Sequence, residues 1–117
     1  MPAAYQHWDD EKTLARMLGD QQSVHDLAEA FMDEYPIRMK ALLDERTDIQ
    51  KLSDELHTLR SMLAIFNADA GHAMAVSMDR SIRAGTPVSP TEQAQLVHEL
   101  RAFAAELNHY LSMQKAD

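Results

Sequence analysis

Residues 49–66 read IQKLSDELHTLRSMLAIF. Ile49, Leu52, Leu56, Leu59, Leu63 and Phe66 recur at alternating steps of three and four. That alternation places all six on one stripe of an α-helix, the seam by which a helix packs into a bundle. Thr47 or Asp48 stands where an N-cap is needed. At about 100° per residue, His57 falls roughly 130° from the centre of the stripe and should face solvent.

Helical signals extend in both directions from this segment. A short first helix is expected from about Asp10 to Leu18, stopped by Gly19. A second is expected from Gln21 to Glu45, with Val24, Leu27, Phe31, Tyr35, Met39 and Leu42 inward. Pro36 lies inside it and should kink or split it, because proline lacks the backbone donor. A fourth, from about Asp69 to Ala84, is expected to bury Ala70, Met74, Met78 and Ile82 before Gly85. Ser89-Pro90-Thr91-Glu92 then opens a fifth helix with a Ser cap, a Pro at the first position and a Glu at the third. That helix should run to about Met113 with Leu96, Leu100, Phe103, Leu107 and Leu111 inward. No alternation of period two marks a strand. The expected fold is all-α: an antiparallel up-down-up-down four-helix bundle, with the short first helix over one end. The eight methionines are expected to fill core gaps.

Composition narrows the functional classes. The chain has 117 residues, enough for one domain (residues 1–117) and too few for two. It contains no cysteine, which removes disulfides, thiolate nucleophiles and cysteine-zinc sites and fits a reducing cytoplasm. Nineteen acids against eleven bases give a net charge of -8, so a nucleic-acid partner is not expected. No apolar run approaches the roughly 20 residues of a membrane span. The start, Met1-Pro2-Ala3-Ala4-Tyr5, lacks the regions of a secretory signal. The initiating Met and the polar Lys115-Ala116-Asp117 tail lead us to expect a complete protein rather than a domain cut from a larger sensor.

Six histidines are the ordinary candidates for chemistry near neutral pH. Most surface histidines carry no role, and His7, His25 and His72 are read that way. His57 differs in its surroundings. By helical arithmetic Ser53, Ser61, Ala64 and Ala68 share its side, with Ile65 beside them. A merely solvated face would carry Lys, Glu and Gln. A smooth face around one imidazole suits the docking of another protein close to the ring. Arg60, one turn beyond, can set a positive charge near an anion attached there.

The hexapeptide Leu56-His57-Thr58-Leu59-Arg60-Ser61 resembles the His-x-Leu-Lys-Gly-Ser motif of histidine-containing phosphotransfer domains. Leu18-Gly19-Asp20, Leu27, Phe31-Met32-Asp33-Glu34 and Pro36 resemble that family's first two helices. Phe66-Asn67-Ala68 resembles its Leu-Gly-Ala, and Met78-Asp79 with Arg83-Ala84-Gly85 resembles its Leu-Glu and Arg-x-Gly. The resemblance covers about residues 10 to 113. It implies that His57 is phosphorylated and that Arg60, at the place of the usual lysine, assists electrostatically. Ser61 falls where a receiver would approach the ring, and by the helical arithmetic above Ser53, Ser61, Ala64, Ile65 and Ala68 are the expected docking face. The implied partners are receiver domains of response regulators and a hybrid sensor kinase, in a bacterial two-component phosphorelay. The chain itself would need no cofactor, because Mg²⁺ belongs to the receiver, and a cytoplasmic monomer is expected. Ser61 stands where the family has glycine, Asn67 replaces another glycine, and Gly71 replaces a common core leucine. Asn tolerates the left-handed conformation a helix end requires.

Three other readings fit parts of this pattern. A pseudo-phosphotransfer bundle would dock receivers without being phosphorylated, though it would have little reason to present an imidazole. A purely structural helical adaptor is the second. A metal-binding bundle is the third, since Glu106-x-x-His109 has the spacing of di-iron bundles and Asp54-x-x-His57 loosely echoes it. Such ligands must project into the core, whereas His98 and His109 fall opposite the Leu100, Phe103 and Leu107 stripe. They also lie about 16 Å apart along the axis. No Gly-rich nucleotide loop is present, so the chain is not an autonomous kinase.

Overall fold

The computed structural model describes residues 5–44 and 46–115, with side chains through Met113. Five helices follow in order: α1 Asp10–Arg16, α2 Gln21–Leu43, α3 Ile49–Ile65, α4 Asp69–Arg83 and α5 Pro90–Lys115. No strand occurs among the described residues. The expected ends of α2 at Glu45 and of the tail at Ala116-Asp117, with the start Met1–Ala4, lie outside the described residues.

Each helix start except that of α4 is closed by a short oxygen-bearing side chain. Asp9, Asp20 and Asp48 accept from the backbone N–H of Lys12, Gln22 and Lys51, and Ser89 accepts from Glu92. Such caps satisfy amide donors that the first turn leaves free. Of the two candidates for α3, Asp48 is the cap, while Thr47 donates to the Ala41 carbonyl. Leu18 closes α1 at φ 56, followed by Gly19 at φ 80. Asn67 takes φ 53 in the three-residue link between α3 and α4, as its left-handed tolerance anticipates.

Pro36 does not split α2, which runs unbroken through it. The proline lies on an exposed position, and Phe31 before it and Met39 and Leu42 after it are all buried. Core packing on both sides carries the helix past a break that would cost an isolated one about 3 kcal/mol.

Phe31, Phe66, Phe103 and Trp8 form the middle of an aromatic group, with Phe31–Phe103 and Phe66–Phe103 centroids 5.1 and 5.4 Å apart. Trp8 lies edge-on to Phe66 at 5.8 Å and to Tyr110 at 5.3 Å. The segment before α1 is therefore part of the core. Glu106 fixes it by accepting from the backbone N–H groups of Gln6 and His7, and the Asp9 N–H reaches the Phe66 carbonyl. Leu56, Leu59 and Leu63 of α3 and Leu96, Leu100 and Leu107 of α5 are fully buried, as their spacing requires.

Several expected core positions are corrected. Ile49 is exposed, Leu27 and Tyr35 are half-buried, and Ala28 is fully buried instead. On α4, Ala70 is exposed and Met74 and Ile82 are half-buried. The buried seam of α4 is Gly71, Ala75, Met78 and Asp79. Small residues there let α4 lie close to α3: a Cβ built on Gly71 would meet Leu63 side-chain atoms at 3.4 and 3.5 Å. Of the methionines, Met39 and Met78 fill the core, while Met17, Met32, Met62 and Met74 pack at its margin.

Candidate functional site

His57 is exposed on α3, 80° round the helix from Ile49 by the same arithmetic that predicted its direction. Ser61, one turn on, is also exposed, and its hydroxyl lies 3.4 Å from the His57 carbonyl. Ala64 and Ile65 are half-buried, and the Ala64 carbonyl accepts from Arg16 of α1 at 3.2 Å. His57, Ser61, Ala64 and Ile65 thus remain at the surface.

Two expected members of that face do not. Ser53 is buried and donates to Asp79 of α4 at 2.8 Å. Ala68 is also buried, because α3 ends at Ile65 and helical arithmetic no longer applies three residues later. The Ser53 correction has a geometric cause. α4 covers the flank of α3 between the leucine stripe and His57, so the buried arc is wider than the stripe.

Arg60 lies on that same flank. Its Nη1 donates to Asp79 Oδ2 at 3.2 Å, and Arg83 Nε lies 3.1 Å from the same oxygen as an ion pair. Asp79 is fully buried, whereas the Arg60 side chain keeps about a third of its exposure (33%). Burial alone pushes the Asp79 carboxyl up, but the Ser53 hydroxyl, Arg83 and Arg60 together outweigh it. They hold the group below the usual carboxylate range. A buried carboxylate with two donors and a second guanidinium paired to it is an ionised, satisfied group. Arg60 is therefore a tethered cation rather than a free one.

Sequence reasoning matched Asp79 and Arg83 to a resemblance but gave them no role. A signal was available: Asp79 interrupts the seam of Ala75 and Met78, and Arg83 follows it by one turn. An acid within an apolar seam needs a donor from the facing helix, and Arg60 is the cation α3 offers there.

The remaining histidines are placed elsewhere. His7 Nδ1 lies 2.7 Å from Glu99 Oε2, and His25 Nε2 lies 2.5 Å from Glu29 one turn along α2. His72 is half-buried, and His98 and His109 are exposed on α5. The carboxylate of Glu106, proposed partner of His109 in the metal-binding reading, is engaged with the backbone of Gln6 and His7.

Comparison with protein families finds a match to the Hpt domain over residues 21–111, more than three quarters of the chain. No curated protein and no solved structure matches it. The matched span takes in α2, α3 and α4 and nearly all of α5, with His57 and its neighbours inside it. The chain therefore belongs to the Hpt domain family, with a phosphotransfer-related role in phosphorelays, where such domains meet receiver domains and kinases.

Proposed function

We propose that this chain is a histidine phosphotransfer protein that accepts a phosphoryl group on His57 from a receiver aspartate and passes it to a second receiver. The observation that carries this reading is the exposed imidazole of His57 within the family match, flanked by exposed Ser61 and tethered Arg60. In the forward step a ring nitrogen of His57 attacks phosphorus in line. The N–P bond forms, the P–O bond to the receiver's aspartate breaks, and its electron pair returns to that carboxylate. The other ring nitrogen keeps its proton. Arg60 offsets charge on the phosphoryl group. Position and electrostatics come from this chain, and Mg²⁺ from the receiver.

The scaffold is read as one domain, an antiparallel up-down-up-down four-helix bundle of α2 to α5. Reversed pairings support it. Phe31 meets Phe103 while Leu42, further along α2, accepts from Gln93 at the start of α5. Arg38 near the end of α2 bonds Glu55 early in α3, at 3.0 Å. Gly71 approaches Leu63 while Asp79 reaches back to Ser53. A monomer in a bacterial cytoplasm, docking receivers through His57, Ser61, Ala64 and Ile65, completes the reading. No described helix is long and apolar enough to cross a membrane.

The test is incubation with a phosphorylated receiver and detection of acid-labile, base-stable phosphate on this chain. His57→Gln is expected to abolish the label. A label that persists moves the site, and receiver binding without any label identifies a docking adaptor instead.

A further inference from the structure

Ser53 and Arg60 are separated by seven positions of α3, with His57 between them. Ser53 lies one turn before the histidine and Arg60 one turn after, both rotated about 40–60° towards α4. One buried carboxylate spans the interval: Asp79 Oδ1 takes the Ser53 hydroxyl and Oδ2 takes Arg60. Asp79 therefore braces the two turns that flank the imidazole. Arg60 is held through a single nitrogen, so the other donors of its guanidinium have no partner among the described residues.

Taken alone, this brace has an electrostatic defect. The Asp79 charge would cancel that of Arg60, leaving nothing to attract an incoming phosphoryl group. Arg83 removes the defect. It pairs with Asp79 Oδ2 at 3.1 Å from one turn further along α4, with its own side chain 62% exposed. One carboxylate against two guanidinium groups leaves the cluster with a single net positive charge.

We infer that Asp79 and Arg83 are positioning residues for transfer at His57, Asp79 holding Arg60 in place and Arg83 keeping that hold from cancelling its charge. The inference rests on the assignment of His57 as the phosphorylated residue. It separates two contributions that a single Arg60 substitution would merge. Asp79→Asn adds positive charge and removes the tether; Arg83→Gln keeps the tether and removes the charge.

The experiment uses the full chain, phosphorylated either by a phosphorylated receiver or by phosphoramidate, a small donor that needs no docking. Transfer to and from the receiver is timed, and ³¹P NMR follows the titration of the phosphoryl group on His57. Arg83→Gln is expected to slow transfer about three- to tenfold, the scale of one unit charge several ångströms away in a half-wet site. It should also raise the phosphoryl ionisation by about half a pH unit. Arg83→Lys should restore both, and Asp79→Asn should slow transfer despite its added positive charge.

A purely structural ion pair predicts otherwise. Arg83→Gln would then lower the unfolding midpoint and leave the phosphorus titration and the transfer rate untouched. That result overturns the inference alone. Faster transfer in Asp79→Asn also overturns it, since charge without position would then suffice. Absence of label on His57 from either donor overturns the inference and the His57 assignment together.

Discussion

Trp8 and Asp79 are both nearly inaccessible to solvent, and the molecule uses them in opposite ways. Trp8 stands among Phe66, Phe103, Tyr110 and Tyr5, at the end of the helices where α3 passes into α4. Its ring removes a large apolar area from water, and its indole N–H is buried without a partner. Asp79 sits lower on α4, where burial opposes its charge and every oxygen is engaged. The aromatic end contributes stability and has no ring contact with His57 or Arg60. The carboxylate end gives up apolar contact and orders the surroundings of His57. Substitutions at the two ends should therefore trade places: the cost to the fold falls, and the cost to transfer rises, from Trp8 towards Ser61.

Trp8→Ala should be the most damaging to the fold, at about 3–5 kcal/mol, as for other large-to-small core changes. Transfer measured well below its unfolding midpoint should stay near the parent rate. Trp8→Phe should cost much less, because it removes the unpaired N–H along with part of the ring. If Trp8→Ala stops transfer in a chain that is still folded, the two ends are coupled and the comparison breaks.

Asp79→Ala should cost about 1–3 kcal/mol, since it strands the buried Ser53 hydroxyl and removes the partner of two guanidinium groups. The same carboxylate gives a signed pH dependence. Its folded-state value lies below the ordinary one, so its contribution is present above about pH 4 and is lost as pH falls through the folded value. Denaturant titrations between pH 6 and 2.5 should show an acid limb that is shallower in Asp79→Asn. An unchanged limb would remove Asp79 as a determinant of acid stability.

Arg60→Ala should cost the fold only about 1 kcal/mol, because Ser53 and Arg83 still satisfy Asp79. Transfer should slow roughly ten- to thousandfold, the scale for removing one electrostatic stabiliser. Stability loss without slowing would assign Arg60 to the scaffold.

Ser61 marks the other extreme. Ser61→Glu on this exposed position should cost less than about 0.5 kcal/mol, yet block a receiver by bulk and by repelling the phosphoryl group. Ser61→Gly should keep or raise the transfer rate, at roughly 0.5–1 kcal/mol of helix stability. Ala105→Glu, on an exposed position of α5, is the control. Blocking by Ala105→Glu and not by Ser61→Glu would move the docking surface to α5.

The helices were legible because their punctuation and their apolar periods agree. Ser89-Pro90 begins α5 and the Leu96 to Leu111 stripe is buried as spaced. What stayed hidden was which flank of a helix a neighbour covers. Ser53 lies only 40° from His57 around α3, yet one is covered by α4 and the other is not. A one-helix wheel has no term for the second helix, and so it counted Ser53 as surface. The same blindness left Arg60 free on paper. It also misplaced the α4 seam: larger Met74 and Ile82 looked like the core, but the buried set is Gly71, Ala75, Met78 and Asp79, with Gly71 against Leu63. On α2, Pro36 offered a split in isolation, yet the helix runs through it with core residues on both sides.

The short link at Asn67 has a consequence for how the molecule forms. α3 and α4 are joined by only Phe66, Asn67 and Ala68, and the Ser53–Asp79 bond spans just 26 positions of chain. Closing so short a loop costs little entropy, and local helix pairs tend to form early. The brace beside His57 can therefore assemble within a single helical hairpin. Trp8 must instead wait for α5, since its contacts with Phe103 and Tyr110 join residues nearly a whole chain apart. Kinetic measurements on the two regions should then diverge, with substitutions in the hairpin slowing folding and those at Trp8 mainly hastening unfolding.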